Sequence, residues 1–130
     1  MKNTIRLLAG LLLFCGALQA AEDAESYYNK AKEFDKNSDY QQAVVWHEKA
    51  AELDHVESQY ILGISYYRGE GVEKDWVKSA YWYKRAAEQG HADAQDALGS
   101  MYEKGEGVAK NSDQAHFWYR KAAEQSQVNP

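Results

Sequence analysis

The sequence predicts an all-α solenoid of three helix pairs, on three observations. First, Gly63 to Gln89 recurs as Gly99 to Gln125 at an offset of 36 residues, and 13 of the 27 aligned positions are identical. A repeat period of about 20–50 residues marks a solenoid or array of small supersecondary units. Second, the apolar residues inside one copy, such as Tyr60, Leu62, Gly63, Tyr66 and Tyr67, fall at helical spacing. Third, the chain is rich in Ala, Tyr and Trp and has a single proline, Pro130, a composition that suits closely packed helices and not strands.

The first twenty residues are of another kind. Lys2 and Arg6 precede an apolar run from Leu7 to Leu18, and Leu18-Gln19-Ala20-Ala21 offers small residues for cleavage. Residues 1–20 are expected to be a secretory signal peptide. The run is short of the roughly 20 apolar residues of a membrane span, so no stable membrane insertion is expected after cleavage. Cys15, the only cysteine, lies inside this segment with Phe14 before it, where a lipoprotein signal carries a small residue. The expected mature chain therefore has no disulfide, although an oxidising compartment permits one. Removing Lys2 and Arg6 from the 15 basic residues leaves 13 against 20 acidic ones, a net charge of −7. Such a balance argues against nucleic acid and anionic membrane surfaces as partners. The remaining chain, 110 residues long, is enough for one small domain.

The pairs follow in order. The first has a helix over Ala24 to Phe34 and a second carrying Ala43, Trp46 and Lys49-Ala50-Ala51. Trp46 stands 36 residues before Trp82, and Asp39 matches Asp75. From Ala31 to Ala43 is 12 residues, against 16 from Gly63 to Ser79, so this pair lacks a four-residue loop. In the second pair the first helix stops at Gly69-Glu70-Gly71, where two glycines accommodate left-handed backbone. Asp75 caps the next helix, which ends at Gly90. In the third pair the same places are held by Gly105-Glu106-Gly107, Asn111 and Ser112 to Gln125, and Ser126 replaces the terminal glycine. The repeat domain is expected at 21–126, with pairs at about 22–54, 55–90 and 91–126, and 127–130 as a C-terminal tail.

LGISYYRGEGVEKD followed by WYKRAAEQGHADAQ resembles the Sel-one-like repeat, a relative of the tetratricopeptide repeat. The signs are the Leu-Gly pair, the tyrosine three residues on, Gly-Glu-Gly-Val, Trp-Tyr, and Ala-Ala followed by Gly. The third pair has the Leu-Gly, Gly-Glu-Gly-Val, Trp-Tyr and Ala-Ala signs again, while AKEFDKNSDYQQAVVWHEKAAELD is closer to ordinary tetratricopeptide spacing. The resemblance covers nearly all of the mature chain. It implies a tetratricopeptide-like, right-handed superhelix of three antiparallel helix pairs, and a scaffold for protein–protein contact in a family with many exported bacterial members. Some members carry a disulfide in each repeat, which this chain cannot form.

Most of the repeated residues read as scaffold. Gly63, Ala86, Gly99 and Ala122 allow close helix approach, and Tyr66, Trp82, Tyr102 and Trp118 are expected as core anchors, each burial stabilising by about 2–3 kcal/mol. Partner contact is expected where the copies differ, on the first helix of each pair, which lines the concave face in tetratricopeptide-like folds. With Ala31, Gly63 and Gly99 pointing inward, spacings of three and four give Tyr28, Lys32 and Asp35, then Tyr60, Ile64 and Tyr67, then Asp96, Ser100 and Glu103. This face is aromatic in its middle and acidic towards the C-terminus, fitting an extended or helical segment with an apolar anchor and basic flanks.

No chemistry or cofactor is expected. Gly69-Glu70-Gly71 has Lys74 where a nucleotide-binding pattern needs a third glycine, and it follows a helix. His47-Glu48 opens like a zinc-protease helix, but Ala51 stands in place of the second histidine. His55 and His91, 36 residues apart, are expected in the turns between pairs, and His116 on the surface. No serine or cysteine has a nucleophile motif. The expected function is a periplasmic or secreted adaptor or scaffold that binds another exported or periplasmic protein. Alternatives are an immunity protein or inhibitor that neutralises a toxin or enzyme, and a cell-wall glycan-binding module whose tyrosines stack on sugars. Phe117, aligned with Tyr81, is expected to be partly exposed, which points to possible self-association through the C-terminal end or to a fraying last helix.

Overall fold

The structure, a computed structural model, describes residues 23–128, all of them in helices or short connections. The expected signal peptide and Cys15 lie outside the described residues. Six helices follow one another: α1 (23–36), α2 (Tyr40–Glu52), α3 (Val56–Arg68), α4 (Trp76–Glu88), α5 (Ala92–Lys104) and α6 (Ser112–Val128). From α2 onward each helix packs beside the next, and α3 also touches α5. α1 is joined to α2 by Tyr27 against Trp46, with ring centroids 5.7 Å apart. The result is an all-α solenoid of three helix pairs.

Local chemistry places the boundaries. Asp39, Asp75 and Asn111 accept the backbone N–H groups of Gln42, Lys78 and Gln114 at 3.2, 3.1 and 3.1 Å, each satisfying an otherwise orphaned first-turn donor. Gly69 and Gly105 close α3 and α5 in the left-handed conformation, at φ 73° and 70°. α6 runs to Val128, past the expected end at Gln125. The physical reason is Ser126: a helix leaves its path readily at glycine, and serine offers no such exit.

The core is built from small residues facing large ones. A Cβ at Gly63 would enter the ring of Tyr83, and one at Gly99 would lie 2.8 Å from the ring of Tyr119. Within this close approach the Ser79 hydroxyl donates to the Gly63 carbonyl at 2.6 Å. Between pairs, Trp82 shares an apolar cluster with Val44 and Ala51 of α2. Trp118 shares one with Ala80 and Ala87 of α4, so each tryptophan docks on the preceding second helix. Tyr66 is buried and its hydroxyl donates to Glu48 at 2.6 Å. Burial first, then this bond, pushes its pKa up to about 12. Tyr102, expected as an equal anchor, is only half-buried. Lys84 stands 36 residues on from Glu48, so the third copy of this tyrosine meets no equivalent acceptor.

The glycine loops add a second inter-pair contact. A Cβ at Gly71 would strike the Tyr40 carbonyl, and one at Gly107 would strike the Trp76 carbonyl, so each loop lies on the start of the preceding second helix. Gly107 also has φ 68°, whereas a Cβ at Gly105, at φ 70°, would come no closer than 3.2 Å to Lys110. Gly107→Ala is therefore expected to destabilise by about 2–3 kcal/mol and Gly105→Ala by about 1 kcal/mol. Urea unfolding of the two variants measures the difference, and equal losses would contradict the inter-pair contact.

Candidate functional site

The first helix of each pair meets the next pair through a histidine. His55 and His91 are the N-caps of α3 and α5, each ring accepting a backbone N–H (Ser58 and Ala94, both 3.2 Å) at Nδ1. A backbone N–H can only donate, so Nδ1 is bare and the proton sits on Nε2. The Nε2–H then faces a carboxylate of the preceding first helix, Glu25 at 3.3 Å for His55 and Glu57 at 3.0 Å for His91. Tyr28 covers the His55 ring with centroids 4.4 Å apart, and Tyr60 covers His91 at 4.3 Å. Burial, assisted by nearby carboxylates, raises the pKa of both phenols. Two of the nine expected contact residues thus give one ring face to the joint between pairs.

Four of the nine meet in one place. Tyr60, Ile64, Tyr67 and Ser100 line a groove of about 270 Å³ between α3 and α5, with Arg68 and Met101 beside them. The Tyr67 hydroxyl donates to Glu106 at 2.7 Å, and its ring stacks on Trp76 with 5.9 Å between centroids. That hydrogen bond, with burial second, raises the Tyr67 pKa. Asp96 is exposed outside the groove lining, and Glu103 accepts the Tyr119 hydroxyl at 2.7 Å. Lys32 Nζ lies 5.2 Å from the Tyr28 ring, on the first pair. Arg68 and Glu106 were not expected. Arg68 continues the stripe of Tyr60 and Ile64 by one more step of four, which is the signal that could have found it. Glu106 looked like loop scaffold because Glu70 occupies the same place in the preceding loop.

Asp35, the ninth contact candidate, is half-buried and stands at the outer end of a chain of polar groups that runs inward through His47 to Ser58. The Ser58 hydroxyl lies 3.2 Å from His47 Nδ1, and His47 Nε2 lies 3.0 Å from Asp35. The order Asp, His, Ser invites comparison with a hydrolase triad, and two facts decide against it. Ser58 is 0% exposed and His47 1%, so no substrate reaches the hydroxyl. The ring is also reversed: a catalytic histidine presents Nε2 to the serine and Nδ1 to the acid. The network ties α1, α2 and α3 together. Among the described residues, no group of three or more His, Cys, Asp or Glu is placed to hold a metal ion, and no helix is long and apolar enough to cross a membrane.

Comparison with known proteins adds the family. The model of the Sel1 repeat matches three times, at residues 35–55, 56–91 and 92–127, which is most of the chain. The chain belongs to the Sel1-repeat family. Sel1-repeat proteins act as protein-interaction scaffolds, and the fold is typically non-catalytic. The chain is 34% identical over 73 residues to a Helicobacter pylori protein (strain 26695) named "Putative beta-lactamase HcpC", covering 56% of this chain and 25% of the relative. The chain thus spans about a quarter of that relative's length. Among solved structures it is similar to c5321, a protective antigen of uropathogenic Escherichia coli with an SLR fold, at TM-score 0.76 and 36% identity, covering 81% of this chain and 23% of that one. It is also similar to a Sel1 repeat protein from Oxalobacter formigenes, at TM-score 0.64 and 39% identity over 65% of both chains. A third likeness is to the Helicobacter pylori cysteine-rich protein hcpB, at TM-score 0.62 and 33% identity, covering 65% of this chain and 63% of that one.

Two contrasts follow for this Sel1-repeat chain. With one cysteine, at position 15, it has no disulfide to pin any repeat, so packing and polar joints hold the pairs. No serine has a lysine three places on, the spacing of penicillin-recognising serine enzymes. The buried His47 has a testable consequence. Burial lowers its pKa below the ordinary 6.5, outweighing the bond to Asp35, which raises it. As the pH falls below 6.5 the unfolded chain takes up this proton before the folded one, so stability is full above 6.5 and lost through the lower folded-state value. The urea midpoint should fall more for the parent than for His47→Gln between about pH 7.5 and about pH 5. Equal falls would contradict the assignment.

Proposed function

We propose that this Sel1-repeat chain is an exported adaptor or scaffold that binds another exported or periplasmic protein along the face formed by α1, α3 and α5. The groove of about 270 Å³ between α3 and α5 carries the reading. Its half-buried Tyr60, Ile64 and Tyr67 stand over Met101, an arrangement that receives an apolar anchor. The carboxylates of Asp96, Glu103 and Glu106 on the neighbouring surface favour basic flanks on the incoming segment. Tyrosine suits such a surface because it offers large contact area with few rotatable bonds. Export is supported by the basic start and apolar run of residues 1–20 and by the likeness to a chain described as a protective antigen.

A photo-crosslinking residue at Ile64, in the full chain expressed in a bacterial host, tests this. Crosslinking should give a discrete adduct with one exported protein. Placed at Gln114, an exposed position on α6, the same residue should give none. Tyr67→Ala should reduce the Ile64 adduct about tenfold or more, the loss expected for one well-packed aromatic anchor. Identical adduct patterns from Ile64 and Gln114, or none from either, would overturn the proposal.

A further inference from the structure

The turn that leads into the second pair and the turn that leads into the third differ in their polar chemistry. At the first of these turns, between α2 and α3, Asp54 sits in the left-handed region at φ 64°. Its Oδ1 accepts from Arg85 Nη2 at 2.6 Å and from Gln59 Nε2 at 3.4 Å. Gln59 Oε1 in turn accepts from Gln89 Nε2 at 2.7 Å. Carboxylate, guanidinium and both amides are therefore partnered.

An advance of 36 residues converts Asp54, Gln59, Arg85 and Gln89 into Gly90, Gln95, Lys121 and Gln125. The donor groups remain and the carboxylate does not. Gln95 Nε2 still donates to the Ala87 carbonyl at 3.0 Å, as Gln59 Nε2 does to Ala51 at 3.1 Å. Gln125 leans over Gly90, its Nε2 3.4 Å from where a Cβ would stand. Gln95, 1% exposed, is left with a buried Oε1 that has no hydrogen-bond partner. Lys121 makes no ion pair among the described residues. Gly90, Gln95, Lys121 and Gln125 line one cavity of about 410 Å³.

We propose that this cavity binds a carboxylate of a peptide, which takes the position that Asp54 fills at the turn one repeat earlier. Lys121 Nζ and Gln95 Nε2 donate to the bound carboxylate. Gln125 turns back to donate to Gln95 Oε1, as Gln89 does to Gln59, and the buried oxygen gains its partner. Glu88 and Glu124 are exposed members of the same lining. They disfavour a multiply charged anion such as phosphate and favour a carboxylate with a lysine or arginine nearby. The site shares no lining residue with the α3–α5 groove, so it stands whether or not that groove binds a partner.

The test follows the Gln95 side-chain amide by NMR in the full chain with three peptides. Acetyl-Lys-Ala-Ala with a free carboxylate probes a chain terminus. Acetyl-Lys-Asp-Ala amide probes an acidic side chain, and acetyl-Lys-Ala-Ala amide lacks any carboxylate. At least one carboxylate-bearing peptide should shift the Gln95 signals and the control should not; the arm that binds identifies the source. Gly90→Asp should weaken binding about tenfold or more, because the chain then supplies its own carboxylate, and Lys121→Met should do so by removing the charged donor. Gly90 has φ 95°, so its aspartate variant carries backbone strain even though the space admits a Cβ. Lys121 is exposed, so Lys121→Met folds and carries the test independently of that strain. Tyr67→Ala should leave this binding unchanged. Equal binding of the control peptide, no shift with any peptide, or parental affinity in both variants would overturn the proposal.

Discussion

The histidine joint between successive pairs is the interaction on which the rest of the structure depends. A solenoid unit cannot bury its apolar face alone, so its stability lies in the contact with its neighbour. His91 serves that contact three times over. Its Nδ1 accepts a first-turn N–H of α5, its Nε2 meets Glu57 of α3, and its ring lies flat under Tyr60. His55 repeats the arrangement with Ser58, Glu25 and Tyr28. Because each ring is held at Nδ1 and on one face and has a carboxylate beside Nε2, it orients one first helix on the next. That orientation sets the α3–α5 groove and holds Tyr60 at its edge.

Close approach supplies the second constraint. Gly63 and Gly99 bring the two helices of a pair within reach of the Tyr83 and Tyr119 rings, and Gly71 and Gly107 seat each loop on a carbonyl of the preceding pair. These contacts leave no room for a side chain, which explains why the glycines recur while the groove residues vary. The chain pins none of its repeats with a disulfide. Polar links such as Asp35–His47–Ser58, centred on the buried His47, act in that place, and they are sensitive to protonation where a disulfide is not.

Features set by local chemistry were legible in the sequence. The 36-residue period fixed the pairs, the glycine loops fixed the ends of α3 and α5, and Asp39, Asp75 and Asn111 were readable as caps because capping involves residues three apart. The stripe of Tyr60, Ile64 and Tyr67 followed from helical spacing once the family resemblance had put the first helix of each pair on the concave face. Features that depend on distant partners were not. His47 looked like a fragment of a metal motif, and only the fold brings Asp35 and Ser58 to its two nitrogens. Tyr102 looked like an anchor because Tyr66 is one, and the difference rests on Lys84 standing where Glu48 stands one repeat earlier. Glu106 was hidden by its likeness to Glu70, and the exchange of Asp54 for Gly90 acquires meaning only beside Gln95 and Lys121.

The central claim is that the tyrosine and the capping histidine act as one unit across the joint. A double-mutant cycle between Tyr60→Ala and His91→Asn measures this most directly, since asparagine keeps the cap and loses the stack. The account predicts a coupling of about 1 kcal/mol, the value for an aromatic pair beyond its area burial. Additivity within about 0.3 kcal/mol, as for sites that do not interact, would contradict it.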